Sequence, residues 1–309
     1  MNILVWLIVI ILVVALLAIA NSARLVIAPK RQRLWTNPKQ ELGLGYEDVE
    51  FPAQDGIRLK GWFIPARQMP AATAIVVHGW PWNRMGTKAN DPLGDLPGSK
   101  PINLLPLAKA LHESNYNVLM FDLSNFGESG ARIPVTYGLL EKRDLLGAIS
   151  YLKSRNEVDP NRIVTVGFSM GGNTVIYTLP ETTDIKAAVV VQPNTSSVFG
   201  KRYRADKFGP LGKLLNLPIE ILYCLSGAPK TVYLQPVYAA NGARNTPVLY
   251  VQGTGDKWGS TADVANMVAA TPNAVEPLYP ETDHRFGAYQ YAVDNPDKIL
   301  TFFKNYLSK

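Results

Sequence analysis

The chain has 309 residues, 47% of them hydrophobic and 18% charged, which is far too much apolar material for a disordered protein. Its formal net charge is +6, yet Arg24, Lys30, Arg31, Arg33 and Lys39 lie in residues 1–40 with no acid among them. The rest is close to neutral, which argues against a nucleic-acid-binding face. One cysteine, Cys224, excludes an intramolecular disulfide, and three histidines (His78, His112, His284) argue against a polyhistidine metal centre.

Ile3 to Ala20 is an apolar run of 18 residues without a polar side chain. At ~1.5 Å per residue it just crosses a hydrocarbon core of ~30 Å, more comfortably if Ala23 and Leu25–Ala28 extend it past Arg24. The sequence therefore predicts a single-pass transmembrane anchor over residues 1–28. A signal peptide cleaved after Ala18-Ile19-Ala20 is the alternative, and would leave an exported protein. Against it, the stretch Met1-Asn2 carries no basic residue and the run is longer than the usual ~7–15 residues. Basic residues on its C-terminal side favour a cytoplasmic location for the large domain. They also form a collar suited to anionic headgroups.

Residues 29–45 read as a basic, polar linker. Beyond it, Tyr46–Phe51 and Ile57–Pro65 are predicted strands around the turn Gln54-Asp55-Gly56. Ala74–His78 has the continuous apolar character of a buried parallel strand. A helix is expected over Pro101–Glu113, a strand over Asn117–Phe121, a helix over Tyr137–Arg155, and strands over Arg162–Gly167 and Ala187–Val191. A strand at Val248–Val251, a helix at Ala262–Ala270, a strand at Val275–Tyr279 and a helix at Asp297–Leu307 complete the alternation. Such a series predicts an α/β domain over 46–309, with a mostly parallel, eight-stranded sheet and helices on both faces. Two segments break the rhythm. Asn83–Pro101 is a long loop, and residues 195–245 form an insertion with a basic run (Lys201, Arg202, Arg204, Lys207) and an amphipathic stretch, Leu211–Leu225. Both are expected to cover one end of the sheet.

The strand at 162–167 runs into Gly167-Phe168-Ser169-Met170-Gly171-Gly172 and then a helix. Glycines let a tight strand-to-helix turn close, exposing the serine hydroxyl as a nucleophile. Such a serine needs a base. His284, the only histidine downstream, lies in Glu281-Thr282-Asp283-His284-Arg285 after the last expected strand. Asp256, just past the strand Val248–Val251, is the expected acid that orients it. Asp283 is the rival acid, disfavoured because neighbouring side chains diverge, and Asn194 holds the other common acid position without a charge. The Met170 and Trp80 amides are the expected oxyanion donors. His78 reads as a loop brace and His112 as a helix-end residue.

These residues resemble the α/β-hydrolase fold superfamily over roughly 46–307. Within it, the chain looks most like membrane-anchored bacterial serine hydrolases of the dienelactone-hydrolase and prolyl-oligopeptidase-like branch. Phe121-Asp122-Leu123-Ser124-Asn125-Phe126-Gly127-Glu128-Ser129 is similar to that family's D-x-R-G-x-G-x-S loop, with Ser124-Asn125 in place of arginine-glycine and Asp122 in a structural role. His78-Gly79-Trp80-Pro81 also resembles epoxide hydrolases, but those use an aspartate where this chain has Ser169. The resemblance implies a serine esterase acting on a small-molecule or lipid-like ester through Ser169, His284 and Asp256. A peptidase of the same fold is the alternative chemistry, and a non-catalytic, membrane-bound binding module the alternative of another class. No Walker lysine loop or G-x-G-x-x-G follows a strand, so no cofactor or metal is expected. Oligomeric state is not legible in the sequence.

Overall fold

The computed structural model describes residues 3–92 and 94–307. Met1 and Asn2 of the expected anchor, Leu93 of the long loop, and Ser308 and Lys309 of the expected domain lie outside the described residues. The apolar run forms one helix, α1 (Ile3–Ile27), followed by a short α2 (Pro38–Leu42) whose Asn37 cap accepts a hydrogen bond from the Gln40 amide at 2.9 Å. The sheet begins with β1 (Glu47–Pro52), β2 (Arg58–Ile64) and β3 (Ala71–Val77). A small hairpin of β4 (Gly86–Thr87) and β5 (Ile102–Asn103), then α3 (Leu105–Glu113), β6 (Asn117–Phe121), α4 (Lys142–Lys153), β7 (Val158–Phe168), α5 (Met170–Thr178) and β8 (Ile185–Val191) follow. The insertion contributes α6 (Ser196–Phe208), α7 (Asn216–Leu225) and α8 (Pro236–Ala240). The chain ends with β9 (Val248–Val251), α9 (Thr261–Ala270), α10 (Phe286–Asp294) and α11 (Pro296–Leu307).

The main sheet has the order β1-β2-β6-β3-β7-β8-β9. Only β1 and β2 are antiparallel to their neighbours; from β6 to β9 all pairings are parallel. Every residue of β3, β6 and β9 is buried, as a strand covered on both faces requires. The helices sort into two groups, α3, α10 and α11 packing together and α4, α5, α8 and α9 forming the other set.

Seven strands stand where eight were expected. Val275–Tyr279 lies beside β9 but makes only isolated parallel bridges, Val248 with Ala274 and Val251 with Leu278. Pro277 and Pro280 lack the N–H groups that a ladder needs, so pairing stops after a few bonds. The helix expected from Tyr137 starts at Lys142. Tyr137 and Gly138 have φ of 53° and 111°, and the Glu141 carboxylate accepts from the Thr136 and Gly138 amides at 3.0 and 2.8 Å. These bonds hold a turn ahead of the helix. Similarly, the helix expected from Pro101 starts at Leu105 because Ile102–Asn103 pairs into the hairpin. The helix α10 was not expected from the sequence pattern.

Neither the linker nor the long loop is a free tether. Lys30 pairs with Asp91 at 2.6 Å, Arg31 donates to the Ser129 carbonyl, and Gln32 donates to Asp95. Asp95 in turn accepts from the Thr87 hydroxyl at 2.7 Å and the Asp91 amide at 3.0 Å. The last turns of α1 are built into the domain. Ala23 and Leu25 are buried, the Val135 amide donates to Ile27 at 3.0 Å, and Val26 and Ile27 pack on Tyr223 and Ala228 of the insertion.

His78, at the end of β3, is fully buried and braces the loop after β6. One ring nitrogen, Nδ1, donates to the Gly79 carbonyl at 2.7 Å, and Nε2 accepts from the Leu123 amide at 3.0 Å. Those roles require the neutral ring, and burial pushes its pKa down, against an opposing pull from Asp122. A histidine with a depressed folded pKa binds its proton more readily in the unfolded chain. Its contribution to stability is therefore complete above the unfolded value of ~6.5 and is lost as the pH falls below it. Thermal melts in detergent at neutral and mildly acidic pH should show the stability gap between wild type and His78→Gln narrowing on acidification. A constant gap would contradict this role.

Candidate active site

Ser169 occupies the junction of β7 and α5 with φ 51° and ψ −114°, a left-sided conformation that costs a non-glycine residue on the order of 1–3 kcal/mol. Its amide donates to the Val191 carbonyl at 2.8 Å and its own carbonyl accepts from Asn173 at 3.0 Å, so both sides of the turn are pinned. The close approach depends on two glycines. A Cβ on Gly167 would stand 2.4 Å from the Gly171 carbonyl oxygen, and one on Gly171 would stand 2.2 Å from the Val77 oxygen. Gly172 is less constrained, its nearest such contact being 3.2 Å.

Ser169 faces a pocket walled by Trp80, Phe199, Tyr203, Tyr223, Trp258 and Phe286, with Met170 also at its edge. Met170 is the first residue of α5, so its amide has no acceptor within the helix. The Trp80 amide donates to no acceptor among the described residues. The two residues expected to supply the oxyanion donors thus line the same cavity as the serine, and their amides have no acceptor among the described residues.

The polar partners of Ser169 differ from the expectation. Arg285, not His284, bridges Ser169 and Asp256. Its Nη2 donates to the Ser169 hydroxyl at 3.0 Å and its Nη1 to Asp256 Oδ2 at 2.7 Å. The guanidinium is 6% exposed and the Asp256 carboxylate not at all. Phe199 and Tyr289 stack around the cation at 5.0 and 5.5 Å, and Asn194 Oδ1 lies 3.4 Å from it. The Asp256 carboxylate also accepts from the Trp258 and Gly259 amides at 3.0 and 2.8 Å and from Gln252 at 3.3 Å.

His284 stands off this line. Its Nε2 lies 3.4 Å from Asp283, the acid disfavoured from sequence, and its Nδ1 is buried without a partner among the described residues. The reason is helical phase. Phe286, Tyr289, Ala292 and Val293 of α10 are buried, and Arg285 precedes Tyr289 by four residues, on the same face. His284, one residue earlier, lies ahead of the helix and off that face. That four-residue spacing carries meaning only once α10, which the sequence pattern did not suggest, is in place. Tyr289 itself is fully buried in the site. Burial pushes its phenol up, with the Arg285 charge opposing.

The loop after β6 behaves as expected. Asp122 accepts from the Arg84 and Glu128 amides at 2.7 and 2.9 Å. Where the related motif has an arginine, Arg132 supplies one from further along the chain. It donates to the Ser124 hydroxyl at 2.9 Å and pairs with buried Asp144 at 3.1 Å.

The basic residues of the insertion are largely engaged. Arg202 donates to the Gly259 carbonyl, Arg204 to Asn216, and Lys207 sits over Trp258 at 5.0 Å. The Trp258 indole donates to Asp206 at 2.9 Å and holds that carboxyl below its ordinary pKa. These contacts tie the insertion to the loop that carries Asp256. The described residues contain no cluster of three or more potential metal ligands.

Substitutions at these positions have predictable costs. Gly171→Ala should cost about 2–3 kcal/mol or prevent folding, because backbone must move, whereas Gly172→Ala should cost less; denaturant titration orders the two. Arg285→Met should lose about 3 kcal/mol by leaving a buried carboxylate unpaired, and adding Asp256→Asn should restore much of it. Additive losses in that cycle would contradict the pairing.

Residues 75–210 match the family described as alpha/beta hydrolase fold. The uncharacterized protein YfhR of Escherichia coli (strain K12) is 38% identical over 132 residues, 42% of this chain and 40% of that protein. The match thus spans less than half the length of that relative. The quorum-quenching protein AidA of Acinetobacter baumannii is 25% identical over 226 residues, 72% of this chain and 68% of its own. Among solved structures, the Pyrococcus furiosus esterase Pf2001 superposes with a TM-score of 0.70 at 22% identity, covering 91% of this chain and 98% of that one. Strand order, the serine turn and these likenesses together show that the chain has the α/β-hydrolase fold.

Proposed function

We propose that this protein is a membrane-anchored serine hydrolase that cleaves carboxylic esters through an acyl-enzyme on Ser169. The observation that carries the reading is the strained turn that presents the Ser169 hydroxyl to an apolar pocket beside two unspent amides. A nucleophile held in that way attacks a carbonyl while the Met170 and Trp80 amides stabilise the oxyanion. The esterase likeness agrees with ester chemistry, and the apolar helix α1 supports attachment to a membrane. The basic residues after α1 favour a cytoplasmic face.

A guanidinium stays protonated at any working pH, so Arg285 cannot take the serine proton. The proposed base is His284. It is one residue from Arg285, and its buried Nδ1 is unpartnered among the described residues. A turn of the segment ahead of α10 by one residue would exchange the guanidinium for the imidazole between Ser169 and Asp256. The arrangement with Arg285 engaged is then a resting state. A second reading, a non-catalytic module that clamps a carboxylate-bearing ligand, is favoured by the Arg285–Ser169 contact itself.

Fluorophosphonate labelling and p-nitrophenyl ester hydrolysis by the full chain in detergent separate these. Ser169→Ala and His284→Ala should abolish both, while Arg285→Ala should keep or increase labelling. Labelling retained in His284→Ala would remove the histidine from the mechanism. A wild type that neither labels nor turns over would favour the binding module. Matched ester and amide substrates decide between esterase and peptidase.

A further inference from the structure

The insertion covering the pocket has an apolar outer surface as well as an apolar inner one. In α7, Ile219 and Tyr223 are buried toward the pocket. On the other side, Leu217, Ile221 and Leu225, spaced by four residues, are 69%, 49% and 78% exposed. The turn before α7 adds Leu211 and Leu214, 69% and 72% exposed. The polar side chains Asn216 and Glu220 of α7 are spent as acceptors from Arg204 and Thr231, and a helix otherwise apolar on both its buried and its free side belongs in an apolar setting. With 10 residues, α7 extends ~15 Å, half the depth of a hydrocarbon core, so it can lie in a bilayer surface and cannot cross it.

The position of α7 names the occupant of that surface. It packs against the C-terminal part of α1, and Asn21, Ser22, Leu25 and Val26 of α1 line the pocket together with Ile219 and Tyr223 of α7. From Ala20, the end of the apolar run, to Val26 is six residues, or ~9 Å of helix. If α1 spans the membrane with Ala20 at the hydrocarbon edge, the part of α1 beside α7 stands at the level of the headgroups, the layer in which interfacial helices lie.

We propose that α7 and the turn before it insert into the membrane that holds α1, and that the pocket takes its substrate directly from that bilayer, as an ester of an acyl-chain lipid. The substrate assignment rests on the ester-hydrolase reading; the insertion does not. The α1 residues in the pocket wall place one side of the cavity at the anchor. An acyl chain can then pass from lipid to the aromatic walls with little transfer through water, which for each methylene would cost ~0.8 kcal/mol.

The test uses the full chain in vesicles of equal parts phosphatidylcholine and phosphatidylglycerol. With Cys224→Ser as background, nitroxide labels are placed at Leu214→Cys, Leu225→Cys and, as a control at an exposed position of α4, Ser150→Cys. Labels at 214 and 225 should relax with oxygen in preference to a water-soluble nickel chelate, and the label at 150 the reverse. Equal, water-like accessibility at all three would overturn the insertion, whether or not the protein turns over any ester. In a second arm, Leu214→Glu with Leu225→Glu should lower hydrolysis of a vesicle-borne acyl-lipid ester roughly tenfold. Hydrolysis of soluble p-nitrophenyl acetate should remain at wild-type level, which also reports that the variant is folded. Unchanged hydrolysis of the lipid ester would overturn bilayer loading. A wild type inert to both esters would instead overturn the hydrolase reading and leave the labelling result to stand alone.

Discussion

The buried contact between Arg285 and Asp256 is the constraint on which the rest of the site depends. Two charges removed from water must be compensated by each other and by surrounding dipoles, or the fold does not tolerate them. Here the carboxylate collects the Trp258 and Gly259 amides of its own loop, the Gln252 side chain and the guanidinium. The guanidinium reaches Ser169 and lies against Phe199 and Tyr289. One ion pair therefore locks together the loop after β9, the start of α10, the serine turn and the first helix of the insertion. Its permanence as a charge also sets the chemical problem of the site. A positive donor on the hydroxyl holds the serine in place but offers no route for its proton.

A second chain of contacts runs outward from the same pocket. The aromatic wall continues through Phe199, Tyr203 and Trp258, whose rings meet at 5.9 and 4.9 Å, into the insertion, and the insertion rests on the end of α1. Helix α1 is thus part of the pocket as well as a candidate span. The basic collar beyond it is partly spent on the domain, through Lys30 with Asp91 and Arg31 with Ser129. Those bonds fix the domain close to the end of the apolar helix. A protein tethered by a free linker would have left the same basic residues in solvent.

The parts of the protein governed by local rules were legible from the residues alone. Alternating apolar strands and amphipathic helices specified the parallel core. The glycines around Ser169 specified the turn, since only they leave room for backbone to approach to 2.2–2.4 Å of a Cβ position. The continuous apolar run specified α1. The role of His78 as a brace was also legible in the residues, and that of Asp122 was implied by the family resemblance of its loop.

Features that depend on phase and on distant partners emerged only from the packed molecule. Whether His284 or Arg285 points at Ser169 depends on the register of α10 against the sheet, and its buried face at Phe286, Tyr289 and Val293 selects the arginine. The eighth strand failed because Pro277 and Pro280 interrupt a ladder that composition alone would allow. That α1 lines the pocket, and that α7 carries apolar side chains on its free side, could not be read from either segment separately. Short-range sterics and periodicity set local conformation, whereas the choice of which side chains share a site is made by the packing of elements far apart in the chain.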